Sequence, residues 1–129
     1  SFVSEASDAY GFDPAEVVAF GYSNGANIAS ATMLLHPGAL AGAALVRAIV
    51  PLVPSPLPKL EGKRVAIANG KRDPLEPPGE TERLAHMLRE CGADVRVYMA
   101  EAGHELTRAD IQSIAGWLRS PARHEPLPE

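Results

Sequence analysis

The sequence predicts an α/β fold, a parallel sheet flanked by helices, and three observations lead there. Short apolar runs recur at residues 17–20, 41–50, 64–69 and 95–99. Segments rich in alanine or with apolar residues at helical spacing lie between and after them. Gly, Pro and Asp punctuate the changeovers, as turn chemistry requires. Strands alternating with helices imply parallel pairing through right-handed crossovers, with functional residues beyond the carboxyl ends of the strands.

Taken in order, residues 2–10 read as part of a short helix that Gly11 stops, and Asp13-Pro14 is a turn. The run Val17-Val18-Ala19-Phe20 is short, continuous and partly β-branched, as expected for a strand buried on both faces. Residues 24–35 are alanine-rich and apolar almost all round, which predicts a buried helix closed by His36-Pro37-Gly38. Residues 41–50 predict a second buried strand, followed by a proline-rich loop over 51–58. A third strand over 64–69 ends at Gly70. Leu84, Met87, Leu88 and Cys91 then fall at i, i+3, i+4 and i+7, one helical stripe with Gly92 at the C-terminal cap position. Residues 95–99 make a fourth strand. Thr107-Arg108-Ala109-Asp110 resembles a capping box, and Ile111, Ile114, Ala115 and Leu118 continue the helical spacing. Residues 120–129 hold three prolines and no apolar period, so a disordered tail is expected there. No internal repeat is visible.

Composition narrows the function. The chain has 129 residues, 46% hydrophobic and 22% charged, in keeping with one globular domain that can bury a core without staples. A net charge of -4 with scattered basic residues argues against nucleic acid, and 5% aromatic content is too sparse for base-stacking platforms. Cys91 is the single cysteine, so no disulfide framework points to an oxidising compartment, and a cytoplasmic location is expected. No apolar run is long enough to span a membrane, and the start lacks a signal-peptide pattern. The chain begins at Ser1 rather than Met, and we therefore expect a fragment.

Gly21-Tyr22-Ser23-Asn24-Gly25 is a G-x-S-x-G sequence between a predicted strand and a predicted helix, the setting of a nucleophile elbow. Such a turn strains the serine backbone, and glycines on either side let the neighbouring elements pass closely. It lifts the Ser23 hydroxyl clear of the sheet and aims the Asn24 backbone N–H at a developing oxyanion. A serine needs a base. His36 stands at a helix end, His86 within a helix and His124 in the tail, whereas His104 lies in a loop just past the fourth strand. The carboxylate that orients the base should follow a strand and precede the histidine, which selects Asp73 over its rivals Glu76 and Glu101. The chain order is then Ser, Asp, His, the order used by α/β-hydrolases.

Those residues carry a resemblance. Gly21-Tyr22-Ser23-Asn24-Gly25-Ala26-Asn27-Ile28-Ala29, the run from Asn69 to Pro74 with Pro77 beyond, and Gly103-His104-Glu105-Leu106-Thr107 resemble the phospholipase/carboxylesterase family of small α/β-hydrolases. Val50-Pro51-Leu52-Val53-Pro54 and Gly92-Ala93-Asp94-Val95 look like that family as well. The resemblance covers the later half of a family member, so residues 1–119 are expected to form the C-terminal part of an α/β-hydrolase domain, with only the later strands present. It implies Ser23, Asp73 and His104 as catalytic residues. It also implies an earlier loop, upstream of Ser1, that supplies a second oxyanion donor.

The expected reaction is carboxylic ester hydrolysis through an acyl-enzyme, on a small-molecule ester, with no metal or organic cofactor. The short connection between the second and third strands leaves no room for a large lid, so an open site for small or medium acyl groups is expected. Leu75 and Leu106 are equally readable as site lining or as core. Three other readings stay open: a lysophospholipase or acyl thioesterase, a dienelactone-type hydrolase (which normally carries cysteine where Ser23 stands), and a non-catalytic interaction module or inactive fragment. An unpaired edge at residues 17–20 would invite pairing with another chain, as in a homodimer.

Overall fold

The computed structural model describes residues 17–120. The expected helix over 2–10, the Asp13-Pro14 turn and the tail beyond Ser120 lie outside them. The described residues form four strands, β1 (Val18–Tyr22), β2 (Gly42–Val46), β3 (Arg64–Gly70) and β4 (Asp94–Ala100), and three helices, α1 (Asn24–Leu35), α2 (Glu80–Glu90) and α3 (Arg108–Arg119). The strands lie in the order β1-β2-β3-β4 and every pairing is parallel. No helix among the described residues is long and apolar enough to cross a membrane.

Strand periodicity divides the core into two layers. Ala43, Leu45, Val65, Ile67 and Val95 face one side, where α1 and α2 cover them with Ala26, Ala29, Met33, Leu84, Ala85 and Leu88. Ala44, Val46, Ala66 and Ala68 face the other, where α3 supplies Ile114 and Trp117. Arg64 fixes α3 from beneath: its guanidinium lies 4.9 Å from the Trp117 ring and donates to the Trp117 carbonyl at 2.8 Å. The predicted capping box is present, with Thr107 and Asp110 satisfying each other's backbone N–H groups. Gly92, at φ 98, follows α2 as its spacing predicts.

Three expectations need correction. β1 is not buried on both faces: Phe20 is 53% exposed, and Val18 and Tyr22 beside it are exposed too. These residues share the face that α3 covers further along the sheet, but α3 packs over β3 and β4 and does not reach them. Nor is α1 buried all round. Its inner face packs on the sheet while Ile28 is 61% exposed on the other side. The second strand also stops at Val46 rather than Val50. Arg47 adopts a left-handed conformation, φ 58, which turns the chain out of the ladder. The next three N–H groups find side-chain acceptors instead: Ala48 donates to Asn69 Oδ1, Ile49 to Asn27 Oδ1 and Val50 to Glu80 Oε2.

Candidate active site

Because the strands are parallel, β1, β3 and β4 all deliver their carboxyl ends to one edge of the sheet. Ser23 follows β1, Asp73 follows β3 and His104 follows β4. Residues 81 positions apart in sequence thus meet at hydrogen-bond distance.

The turn at Ser23 is tight. Ser23 sits at φ 56, ψ −115 and its N–H donates to the Val46 carbonyl at 2.7 Å, which anchors the elbow to β2. A Cβ at Gly21 would lie 2.4 Å from the Gly25 carbonyl oxygen, so only glycine allows the helix to start so close to the strand. Gly25 differs from expectation. A Cβ there would meet open space among the described residues, so the close approach depends on Gly21 alone. Asn24 is the first residue of α1, where backbone N–H groups have no intrahelical acceptor and the helix dipole favours negative charge.

Ser23 Oγ lies 2.8 Å from His104 Nε2, and His104 Nδ1 lies 2.7 Å from Asp73 Oδ2. An ionised carboxylate can only accept, so Nδ1 carries the proton and Nε2 offers its lone pair to the serine hydroxyl. The Asp73 side chain is 3% exposed and His104 26%, which leaves the imidazole reachable from solvent and its carboxylate shielded. The other Asp73 oxygen accepts from the Leu75 N–H at 2.8 Å, fixing the carboxylate plane. The three predicted side chains are therefore brought together.

The rivals are engaged elsewhere. Glu76 accepts from the Thr81 N–H at 2.9 Å and from its hydroxyl. Glu101 is an exposed partner of Lys71 and Arg72, and the Lys71 hydrogen bond draws its carboxyl below the usual range. His86 pairs with Glu90 on the surface of α2, and His36 caps α1. His124 lies outside the described residues. Leu75 and Leu106 are both exposed, so the core reading of them fails. No group of three or more His, Cys, Asp or Glu side chains converges as a metal site among the described residues.

The sequence reading missed the groups that hold the His104 loop. The Tyr22 hydroxyl donates to the His104 carbonyl at 2.9 Å, and the two rings lie 5.7 Å apart. Arg47 reaches the same loop from beneath, donating to the carbonyls of Gly103 at 3.0 Å and Glu105 at 2.7 Å. It also forms a bidentate ion pair with Asp110 at 2.9 and 2.8 Å, with both side chains at most 1% exposed. Burial pushes the Asp110 carboxyl up, but hydrogen bonds from Arg47 and Thr107 outweigh it and hold the group below its ordinary value. One signal was available: an arginine directly after the apolar run Gly42–Val46 is a charge where the pattern expects none.

Comparison with known proteins agrees with this architecture. Residues 3–121 match the phospholipase/carboxylesterase family. The putative hydrolase MhqD of Bacillus subtilis (strain 168) is 38% identical over 118 residues, which are 92% of this chain and 59% of that protein. The Bacillus cereus carboxylesterase superposes with a TM-score of 0.86 at 39% identity, over 90% of this chain and 55% of its own. The carboxylesterase of Mesorhizobium loti superposes at 0.84 and 34% identity, over 93% and 57%. The chain thus spans between half and two thirds of the length of these relatives. Its four parallel strands and three helices are part of an α/β-hydrolase fold, and the chain belongs to the phospholipase/carboxylesterase family.

Proposed function

We propose that residues 1–119 are the C-terminal part of a serine hydrolase that cleaves carboxylic esters, with Ser23 as nucleophile, His104 as base and Asp73 as its orienter. The observation that carries this reading is the continuous contact from Ser23 Oγ through the His104 ring to Asp73, at 2.8 and 2.7 Å.

In this reading Ser23 Oγ attacks the ester carbonyl carbon and passes its proton to His104 Nε2. The carbonyl π electrons move onto oxygen, and the Asn24 N–H donates to that oxyanion. Asp73 stabilises the imidazolium and keeps the ring oriented. Collapse of the tetrahedral adduct breaks the bond to the alcohol oxygen, which takes the proton from His104. Water then adds to the acyl-enzyme as His104 removes its proton. The second adduct expels Ser23 Oγ, which takes that proton back from His104, and releases the acid. A second oxyanion donor would come from residues outside this chain, and one such donor is worth roughly 2.7–4 kcal/mol at the transition state.

The exposed Leu75 and Leu106, near the Asp73 and His104 turns in sequence, fit an open site for a small or medium acyl group. A cytoplasmic setting suits a protein whose one cysteine, Cys91, is buried and free. The exposed apolar side chains of β1 fit a homodimer, which light scattering would detect.

The test is hydrolysis of p-nitrophenyl acetate by this chain, by a longer chain of the relatives' length, and by Ser23→Ala in both. Turnover that falls by about 10⁴-fold or more in Ser23→Ala supports the reading. Equal rates with and without the hydroxyl would defeat it. A series of ester and thioester chain lengths separates the esterase from a lysophospholipase or thioesterase.

A further inference from the structure

Three consecutive carbonyls carry the loop that presents His104, and each has a donor. Arg47 Nε takes Gly103, the Tyr22 hydroxyl takes His104 and Arg47 Nη2 takes Glu105. The arginine is itself immobilised. Its Nη1 donates to the Ala68 carbonyl at 2.9 Å, its fork is matched by Asp110, and its left-handed backbone donates to the same Ala68 carbonyl at 2.9 Å. Asp110 is fixed in turn by Thr107 at the start of α3.

An arginine with this many partners is more than a core filler. Burying a bidentate ion pair is at best a weak source of stability. What the pair provides here is a rigid fork that grips the peptide groups on either side of one histidine. We propose that Arg47 is a positioning residue for His104, holding the imidazole in register between Ser23 and Asp73 through the carbonyls of Gly103 and Glu105. Asp110 serves as the counter-ion that keeps the fork aimed. This inference rests on the reading of His104 as the base. Its physical content is narrower: without the fork, the ring no longer keeps the tautomer and direction that the Asp73 contact requires.

Removing Arg47 alone would strand the Asp110 charge, so the informative variant is the pair Arg47→Met with Asp110→Leu, which removes both charges and leaves neither buried without its partner. Two readouts are taken on the 129-residue chain with ¹⁵N-labelled histidine, with the His104 signals assigned through His104→Gln. The ring ¹⁵N shifts report which nitrogen carries the proton. The rate of Ser23 labelling by a fluorophosphonate reports activation of the serine. The expected result is a folded double variant in which His104 changes from the Nδ1–H form to a mixture, while Ser23 labelling slows about 10- to 100-fold. A folded double variant with the wild-type tautomer and labelling rate would overturn the proposal. If the double variant does not fold, Arg47→Lys decides. It keeps a charge against Asp110 but cannot span both carbonyls, so an intermediate tautomer mixture and slower labelling are expected, and unchanged values would overturn the proposal. Failure of the esterase reading looks different: Ser23 in the unaltered chain would not label at all, while the tautomer still answers for Arg47.

Discussion

Ser23 and His104 are held in place by opposite means. Apart from the bond of its N–H to the Val46 carbonyl, Ser23 is positioned within a few residues of itself: a positive φ at the serine, a Gly21 pressed against the Gly25 carbonyl, and a helix that starts at the next residue. Its surroundings are open, with Phe20 on β1 and Ile28 on α1 exposed. His104 has no such local device. Its loop is held by side chains from three other elements: Tyr22 from β1, Arg47 from the end of β2 and, through Arg47, Asp110 from α3. The contrast shows a division of labour. Ser23 is set largely by backbone sterics, because the turn dictates where its short side chain points. His104, on a loop, draws on a scaffold of distant partners, because local bonds such as Ala102 N–H to the Ala100 carbonyl hold only the start of that loop.

The largest effect that would sharpen this comparison concerns the scaffold. Asp110→Ala leaves the Arg47 guanidinium buried without a counter-ion, and a loss of about 3–5 kcal/mol is expected by urea denaturation. A loss under about 1 kcal/mol would show that the His104 loop does not depend on the ion pair. At the elbow, Gly21→Ala forces a Cβ into the Gly25 carbonyl and should cost about 1–3 kcal/mol. Gly25→Ala meets open space on a helix and should leave the thermal midpoint unchanged or raise it, by up to about 1 kcal/mol in stability. Equal costs at the two glycines would break the assignment of the close approach to Gly21.

The smallest effect is a pH dependence. Because the Asp110 carboxyl sits below its ordinary value in the folded protein, its contribution to stability is complete above the unfolded value near about 3.9. It is lost as pH falls through the lower folded value. Acid unfolding of the unaltered chain should therefore take up one more proton below about pH 4 than that of the Arg47→Met, Asp110→Leu pair. Identical acid titrations of the two would remove the ion pair from the account.

The same division explains what the sequence made legible. The elbow could be read because most of what builds it is adjacent, from the apolar run through Gly21 and Ser23 to the start of α1. The parallel pairing and the approach of Asp73 and His104 to one edge of the sheet followed from the alternation of strands and helices, whereas the order of the strands came only with the structure. Arg47 and Tyr22 escaped because their roles depend on partners 56 to 82 positions away, which no local period encodes. The burial of β1 was overestimated for a related reason. An apolar run records which surface is fit to be covered, while coverage itself depends on what packs there, and α3 packs elsewhere.

The most direct test of the account is fluorophosphonate labelling of the 129-residue chain, followed by peptide mass mapping, beside Ser23→Ala and His104→Gln. The account predicts one adduct on the peptide containing Ser23, absent in Ser23→Ala and strongly slowed in His104→Gln. A folded chain that takes no label, or that labels equally well without the His104 imidazole, would contradict the claim that this histidine activates this serine.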